Sequence, residues 1–351
     1  MANHLGHSLI ITSFGESHGP LTGVIVDGFP SGFQIDAQHI QNELRRRRPG
    51  QSALSTDRSE DDVFEFVSGV FEGKSTGAPI GILIKNTSQR SKDYDALKDV
   101  YRPGHADLVY TEKYGHRDHL GGGRSSARIT AAWVAAGALA KQLLHQQHNI
   151  SIQSVVSAVH QIKVDNVFEL NWNQAESNPV RCPDPAKAQE IASLISDMKL
   201  SGDSVGGIIS TRICNCPPGL GEPVFDKLNA DLAKAVFSIN AVKGVEFGDG
   251  FEGSKLKGSQ FNDTPDKISN HEGGINAGIS TGKDILFNTA FKPVSSIKQT
   301  QKALNSSGDI IDLNIEGRHD PCVLPRAVPI VEAVAALVLA DHMLLHLKYK
   351  K

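Results

Sequence analysis

The sequence predicts an α+β or layered α/β fold and argues against a barrel of regular βαβ units. Predicted strands and helices are mixed without regular alternation, which is typical of folds whose helices and sheets form separate layers. The 351 residues contain no repeat of fixed period and no low-complexity linker, and 33 of them are glycine. We therefore expect one domain over residues 1–351, with turns whose backbone approaches ligands closely.

In the N-terminal half, short apolar runs bounded by turn residues predict strands. Asp36 is a suitable N-cap for the first helix. The run AAWVAAGALAKQLLHQ predicts a second helix, because alanine has the highest helix propensity. In order, we predict strands at Leu9–Ser13 and Leu21–Val26, a helix over Asp36–Arg47, strands near Asp62–Val70 and Ile80–Lys85, and a helix over Thr130–His145.

In the C-terminal half, the polar segment SNPVRCPDPAKAQE predicts a loop that leads into a helix. Pro325 and Pro329 stand before a long apolar run, and proline is well tolerated at a helix start, so a last helix is predicted behind them. In order, we predict a strand at Ile150–Gln161, a helix over Pro185–Lys199, a strand at Gly206–Cys214, a helix over Phe225–Phe237, short strands between Val245 and Asn314, and a helix over Val328–Leu347.

The composition argues against several classes of protein. Lys and Arg number 36 against 39 Asp and Glu, for a net charge of −3, and this balance disfavours a nucleic-acid partner. The four cysteines lack a C-x-x-C spacing and predict reduced packing thiols. No apolar run nears the ~18 residues of a membrane span, and no leader-like segment opens the chain. We therefore expect a cytoplasmic protein without a membrane segment.

Two segments look like ligand-binding motifs in the wrong context. GVFEGKSTG ends like a phosphate-binding loop, but its first glycine, Gly69, is one position late, and its flanks predict a hairpin. GHRDHLGGG offers His116, Asp118 and His119 as metal ligands, but no predicted helix aims them at one point. We interpret both segments as surface or supporting structure. No G-x-G-x-x-G opens a strand–helix unit, so the usual dinucleotide site is not expected.

The segment SFGESHG, Ser13 to Gly19, follows the first predicted strand. His18 can move a proton near neutral pH, and the flanking glycines allow close approach to a flat ligand. The same segment matches G-x-S-x-G, which makes a serine hydrolase acting through Ser17 a rival hypothesis. A strained nucleophile elbow needs a helix after the turn, whereas the sequence here predicts a strand.

Arginine-rich segments point to anionic ligands. The run Arg45–Arg48 has two interpretations that remain open, a solvated helix end favoured by the helix dipole or an anion site. A nucleic-acid binder that uses this run is a second rival hypothesis. In RPGHAD, Arg102 could neutralise a leaving phosphate and His105 could protonate it, although a single loop histidine is often structural.

In GGGRSSAR, Arg124 and Arg128 are four residues apart and are expected to share one helix face. Hydrogen bonds from such cations contribute about 1.5–3 kcal/mol, more than a helix end does, so the arginines should decide anion binding here. Two later groups of residues offer further polar side chains. The first supplies hydrogen-bond donors for cofactor oxygens, and the second places Asp320, a candidate base, beside two cationic candidates. These groups contain Asn240, Lys243, Lys292, Ser295 and Ser296, and then Arg318, His319 and Asp320.

Ten segments in a fixed order resemble the chorismate synthase family along nearly the whole chain. They are SFGESHG, RRRPGQS, GVFEG with STGAPIG, NTSQRSKDY, YRPGHADL, GGGRSSAR, GLGEPVFDKL, SINAVKGVEFGDGF, KPVSS and GRHDPCV. The resemblance implies a layered β-α-β sandwich with central helices between mostly antiparallel sheets, and a homotetramer. It implies a lyase of the shikimate pathway that converts 5-enolpyruvylshikimate 3-phosphate to chorismate and phosphate. The implied reaction is an anti-1,4-elimination with reduced FMN and no net redox change.

The resemblance also implies residue roles. His105 would protonate the departing phosphate, His18 would serve the reduced flavin, and Asp320, with Ser17 as a second candidate, would take a proton from flavin N5. Substrate anions would be held by Arg47, Arg102 and Arg128. FMN would contact Arg124, Ser125, Ser126, Asn240, Ala241, Ala277, Lys292, Pro293, Val294, Ser295, Ser296 and Arg318.

The chain departs from the family pattern at two positions, where Ala53 and Leu120 stand in place of arginines. The first departure puts one anion contact in doubt, for which Arg58 could compensate, and predicts weaker substrate binding without loss of activity. NADP is linked to the family through flavin reduction. The chain shows no nicotinamide-binding domain, so we expect an external flavin reductase to supply reduced FMN.

Overall fold

Two five-stranded antiparallel sheets and two long buried helices make up the framework of the chain. The computed structural model describes residues 3–55, 60–87, 97–265, 269–315 and 320–347. Its mixture of helices and antiparallel sheets confirms the predicted α+β class.

The secondary structure follows the predicted order closely. The helices are α1 (Ala37–Arg47), α2 (Asp107–Tyr114), α3 (Thr130–His148), α4 (Pro185–Ser201), α5 (Leu228–Phe237), α6 (Gly250–Gly253), α7 (Gly258–Phe261) and α8 (Leu324–His346). The strands are β1 (His4–Leu5), β2 (Ile10–Gly15), β3 (Leu21–Asp27), β4 (Phe64–Ser68), β5 (Val70–Phe71), β6 (Lys74–Ser75), β7 (Ile80–Lys85), β8 (Val100–Tyr101), β9 (Ser151–Val159), β10 (Ile162–Lys163), β11 (Gly207–Cys214), β12 (Val242–Phe247), β13 (Ile275–Asn276), β14 (Ile279–Ser280), β15 (Ile285–Phe291), β16 (Gln301–Asn305) and β17 (Ile310–Leu313).

The first sheet has the strand order β1-β2-β3-β7-β4. Strands β2 and β3 form a hairpin in which Gly15 is paired with Thr22, so the SFGESHG segment is the turn of this hairpin. Strands β5 and β6 form a small hairpin between β4 and β7, as predicted for GVFEGKSTG. The second sheet has the order β10-β9-β11-β15-β12. Strand β15 alternates buried and half-buried residues, the pattern of a strand with one face on the core.

Helices α3 and α8 pack against each other and against the sheets. Helix α3 contacts β2, β3 and β7 of the first sheet, and α8 contacts β9 and β11 of the second. The two axes approach closely because Gly137 has no side chain, and a Cβ there would lie 2.5 Å from the Cα of Ala333. One core of buried apolar residues extends from Leu9 to Met343.

Helix α8 begins four residues earlier than predicted, at Leu324. The prediction placed the helix behind two prolines, because proline is well tolerated at a helix start. A proline inside a helix, by contrast, leaves the carbonyl four residues earlier without a partner. Pro329 does lie inside the helix. The carbonyl oxygen of Pro325 accepts a hydrogen bond from Arg181 instead, so a tertiary contact replaces the missing helical one. Although α8 is long and apolar enough to cross a membrane, 89% of its most apolar window is buried inside the fold.

Two local predictions differ from the structure, and one on the cysteines is confirmed. Helix α2 was not predicted, because its sequence DLVYTEKY has no side-chain N-cap and little amphipathic pattern. Helix α5 begins at Leu228 and not at Phe225, whose φ of 60° is incompatible with a right-handed helix. The four cysteines are free, as predicted, and burial raises the pKa of Cys216 and Cys322 to about 12, which makes them unreactive.

Candidate active site

The glycine loop before α3 forms one side of the candidate site. Gly121, Gly122 and Gly123 all have positive φ, at 87°, 89° and 50°, conformations that glycine adopts without strain. The imidazole of His18 lies against this loop, and a Cβ on Gly121 would be 2.5 Å from its Nε2. The hydroxyl of Ser17 donates a hydrogen bond to the carbonyl oxygen of Gly121 at 3.2 Å. The SFGESHG turn and the GGGRSSAR segment therefore form one unit.

The His18 turn is held from both ends by one amide. The side chain of Asn86 donates hydrogen bonds of 2.8 Å to the carbonyl oxygens of Glu16 and Gly19. Strand β3 follows this turn directly. Because a nucleophile elbow requires a helix at that point, the structure argues against a serine hydrolase acting through Ser17.

The RPGHAD segment adjoins the same glycine loop. A Cβ on Gly122 would lie 3.8 Å from Nη2 of Arg102. Arg102 is buried, and its Nε and Nη2 donate to the two carboxylate oxygens of Asp107 at 2.7 and 2.9 Å. Arg117 adds a second ion pair to Asp107 at 3.3 Å. The first turn of α2 therefore orients Arg102 rigidly.

His105 has a defined tautomer. Its Nδ1 lies 2.9 Å from the carbonyl oxygen of Pro103, and since a carbonyl can only accept, Nδ1 carries a proton. Its Nε2 lies 2.8 Å from Oγ of Ser296. Burial and the nearby Arg102 guanidinium lower the pKa of His105 below its ordinary value of 6.5. Nε2 is therefore the atom at which His105 gains or loses a proton.

The KPVSS segment joins the His105 turn to the loop after α5. Nζ of Lys292 donates to the carbonyl oxygen of Gly104 at 2.9 Å and to Ser295 Oγ at 2.8 Å. The backbone N–H of Lys292 donates to Ala241, a residue with the unusual φ of 70°. Asn240 donates from Nδ2 to the carbonyl oxygen of Ser125 at 2.6 Å. Its Oδ1 is buried and has no donor among the described residues.

Asp320 is connected to these segments in two ways. Ser204 and Val205 donate to the carbonyl oxygens of Val294 and Pro321 at 2.7 and 2.9 Å, which links KPVSS to the Asp320 segment. The carboxylate of Asp320 also forms an ion pair with Arg326.

Arg326 completes a closed circuit of contacts between segments. The circuit runs from GGGRSSAR through RPGHAD, KPVSS and the Asp320 segment to Arg326 and Arg47, and back to Arg128. Its Nε donates to the carbonyl oxygen of Arg47 at 3.2 Å, and Arg47 in turn donates to the carbonyl oxygen of Arg128 at 3.3 Å. Arg128 ends the GGGRSSAR segment, where the circuit began. The circuit therefore links the segments that carry His18, His105 and Asp320.

Arg47 and Arg128, two members of this circuit, also belong to a buried ion-pair cluster. Arg128 pairs with Glu60 at 2.7 Å and with Asp62, and Arg47 pairs with Asp62 at 3.4 Å. Burial, with the neighbouring cations Arg326 and Arg128, lowers the pKa of Arg47 to about 10. Burial alone would raise the pKa of Asp62, but Arg47 and Arg128 lower it. Both arginines therefore face internal carboxylates in this structure.

Arg124 and Arg128 do not share a helix face, so that prediction is wrong. Residues 123–125 and 127–129 form two 3₁₀ turns, and α3 begins only at Thr130. Arg124 donates to Ser13 and to the carbonyl oxygen of Gly15, whereas Arg128 points to Glu60 and Asp62. The glycine-rich start prevents the regular helix on which a four-residue spacing depends.

Two predicted cofactor residues need separate mention. Arg318 lies outside the described residues, as does Arg58. Ala277 has a positive φ of 52° and is exposed in the β13–β14 turn. Its neighbour Gly278 accepts a hydrogen bond from Leu228, at the start of α5, whereas Asn240 follows the end of that helix. A ten-residue helix is about 15 Å long, so one chain does not bring Ala277 to Asn240.

Three supporting residues were not predicted. Asp107 orients Arg102, Arg326 pairs with Asp320, and Asp62 pairs with Arg47 and Arg128. Arg326 could have been noticed as a lone cation in the first turn of an apolar helix. Asp62 offers no such signal, because its partners are distant in sequence.

Comparisons with known proteins agree on one family. A family model described as chorismate synthase matches residues 9–344. A protein named chorismate synthase from Christiangramia forsetii is 54% identical over 347 residues, which are 97% of each chain. Another of that name, from Flavobacterium psychrophilum, is 53% identical over 352 residues, covering 99% of this chain and 98% of its own. A solved crystal structure of a chorismate synthase matches with a TM-score of 0.77 and 31% identity, covering 97% of this chain and 93% of its own.

Proposed function

Because the chain belongs to the chorismate synthase family, we propose that it converts 5-enolpyruvylshikimate 3-phosphate to chorismate and phosphate by an anti-1,4-elimination that uses reduced FMN. The observation that carries the proposal is the closed circuit of contacts through His18, His105 and Asp320. Two imidazoles, a carboxylate and several cations on these linked segments suit a reaction that moves protons and releases phosphate.

The residues present fit a flavin nucleotide. The buried Oδ1 of Asn240 has no donor among the described residues, and a flavin ring offers N–H donors. Three successive glycines with positive φ leave the loop backbone open to a flat ring. Lys292 and Ser295 supply a cation and a hydroxyl suited to a phosphate. Reduced FMN, when bound, would lend electron density to the substrate and take it back.

His105 is the residue we assign to the departing phosphate. Pro103 holds the proton on Nδ1, so Nε2 is the site of proton transfer, and Ser296 aligns that atom. A phosphate dianion beside Nε2 would favour the charged imidazole and so counter the effect of burial. Arg102 and Lys292 add positive charge next to the same turn, which favours phosphate as a leaving group.

Asp320 is the residue we assign as proton acceptor. Arg326 keeps its carboxylate oriented, and Ser17, which donates to Gly121, is a second candidate. His18, held between the Asn86-bound turn and Gly121, faces the glycine loop at which the flavin would bind. Arg47 and Arg128 could contact substrate anions only if they gave up their ion pairs with Asp62. We therefore assign them a contribution to the positive electrostatic potential of the site.

The family resemblance supports further parts of the proposal. We infer one domain, a layered β-α-β sandwich with α3 and α8 between the sheets, and a cytoplasmic homotetramer. Ala277, which lies away from Asn240 within one chain, would then reach a cofactor only in a neighbouring subunit. Reduced FMN would come from an external flavin reductase.

An anaerobic assay with dithionite-reduced FMN and 5-enolpyruvylshikimate 3-phosphate tests the proposal. We expect chorismate and phosphate in equal amounts, only when reduced FMN is present. His105→Ala should lower the rate by about 10²–10⁴-fold, the usual contribution of a general acid. His116→Ala, at an exposed histidine of a neighbouring loop, is the matched control and should keep full activity. Chorismate made without FMN, or not made with it, would overturn the assignment.

A further inference from the structure

A cavity of about 500 Å³ is lined in part by Arg124 of the GGGRSSAR segment. It is enclosed by the N-terminal strands, α2, the start of α3 and the end of α5. Its volume is within the range of small-molecule sites, about 300–1,000 Å³. Nothing in the proposed reaction uses this space.

The walls of the cavity combine aromatic rings with positive charge. Tyr110, Tyr114 and Trp133 supply the rings, and Lys113, Arg124 and Lys234 supply the cations. None of the lining residues is Asp or Glu. In a chain with a net charge of −3, a cavity with three cations and no acid is suited to an anion.

Arg124 is the cation of the cavity whose hydrogen bonds all go to neutral groups. Its guanidinium donates to Gly15, to Ser13 and to Asn3, all neutral acceptors, at 3.0–3.4 Å. It forms no ion pair with any described residue. Burial lowers the pKa of Arg124, and Tyr110 and the Glu16 carboxylate oppose this only in part. A carboxylate in the cavity would form a direct ion pair with Arg124 and so favour its charged form.

Trp133 is the aromatic residue that borders the same point. It is half-buried on a helix whose neighbouring residues are fully buried. Its Nε1 donates to Ser13 Oγ at 3.0 Å, the same hydroxyl that Arg124 contacts. A ring that contacts Trp133 therefore lies within reach of the Arg124 guanidinium.

We propose that this cavity binds a small aromatic carboxylate, with its ring among Tyr110, Tyr114 and Trp133 and its carboxylate on Arg124. Lys113 and Lys234, both exposed, attract the anion at the rim. A zwitterionic amino acid binds less well than the simple acid, because the lining offers no carboxylate for its ammonium group. The Arg124 guanidinium contacts Asn3 and Ser13, which line this cavity, so the FMN contact that the resemblance implies for Arg124 would come from its backbone, and both ligands can bind together.

Binding of 4-fluorobenzoate to the full chain, followed by ¹⁹F NMR, tests the proposal. We expect saturable binding at millimolar concentrations or below, little binding of neutral 4-fluorobenzamide, and retained binding at saturating FMN. Tryptophan fluorescence should report the same titration. The chain has two tryptophans, so Trp133→Phe should lose the signal and Trp172→Phe should keep it.

Two variants localise the ligand without altering the candidate active site. Lys234→Glu should weaken binding roughly fivefold, since exposed charge pairs contribute modestly. Lys187→Glu, at a half-buried lysine of α4 outside the cavity, is its control. Ser238→Trp should fill the cavity from its rim and abolish binding. Displacement of the probe by FMN, equal affinity for the amide, no binding by the wild-type chain, or unchanged binding in Ser238→Trp would each overturn the proposal.

Discussion

The imidazole of His18 rests on the backbone of Gly121, where no side chain separates the two. A Cβ at this position would lie 2.5 Å from Nε2 of His18, well inside contact distance. The φ of Gly121 is 87°, which other residues adopt only with strain. Gly121 therefore sets the position of a proposed catalytic imidazole.

Gly121→Ala should lower kcat by about 100-fold, because displacement of a reacting group by ~1 Å has effects of this size. Backbone strain should also lower stability by about 1–3 kcal/mol. Gly115→Ala is the matched control, since Gly115 has a φ of 69° but nothing within 4 Å of its Cβ position. It should lose stability and keep activity. Steady-state kinetics and urea unfolding measure both effects, and equal kinetic losses in the two variants would contradict the contact argument.

The pH dependence of catalysis should reveal His105. The pKa of His105 is lowered, so the free enzyme loses the protonated form of His105 at a pH below 6.5. We therefore expect kcat/KM to fall with rising pH before pH 6.5 is reached. Bound phosphate favours the charged imidazole, so kcat should fall at a higher pH than kcat/KM.

His105→Asn is the control for this profile, because the substrate phosphate also titrates near neutral pH. The variant should lose the His105 limb and retain the limb that belongs to the substrate. Identical pH profiles for kcat in the variant and the parent would exclude His105 as the acid.

Glu332 should account for much of the acid sensitivity of the fold. Its carboxylate is buried against Arg46 and Lys141 at 2.6 and 2.5 Å. Although burial opposes ionisation, these cations lower its pKa from 4.5 to about 2. A lowered pKa stabilises the fold above pH 4.5, and this stabilisation is lost as pH falls from 4.5 towards 2.

Glu332→Gln should therefore lower the free energy of unfolding at pH 7 by about 3 kcal/mol and flatten its dependence on pH in the acid range. Urea unfolding at pH 7 and pH 4 measures the effect. Glu190→Gln, which breaks the exposed pair with Lys187, should change neither value. A parent-like pH dependence in Glu332→Gln would show that the buried pair does not govern acid stability.

Ala53→Arg should strengthen substrate binding. Ala53 is exposed, and its carbonyl oxygen accepts a hydrogen bond from Lys199 at 3.0 Å, so the backbone there is already held. An added guanidinium contact to a substrate anion should lower KM up to roughly tenfold with little change in kcat. Ala78→Arg, at an exposed alanine of another loop, controls for general charge attraction. A KM no lower than that of the parent would rule out the missing anion contact.

The local order of the fold could be predicted where short-range rules apply. Asp36 caps α1 by accepting from the N–H groups of Gln38 and His39, as its position before the helix predicts. The start of α8 could not be predicted, because Arg181 satisfies Pro325 from 144 residues away. Helix α5 was placed too early because the positive φ of Phe225 comes from turn contacts and not from its own propensity.

The amino-acid sequence by itself determined the α+β class, most element positions, and the segments that carry His18, His105 and Asp320, because caps, turns and motifs depend on neighbouring residues. Only the tertiary structure decided what these groups contact. Asp107 orients Arg102, Asp62 engages Arg47 and Arg128, and the two arginines of GGGRSSAR point apart. The physical reason is that a buried charge must be paired, and its partner is chosen by which segments the core brings together.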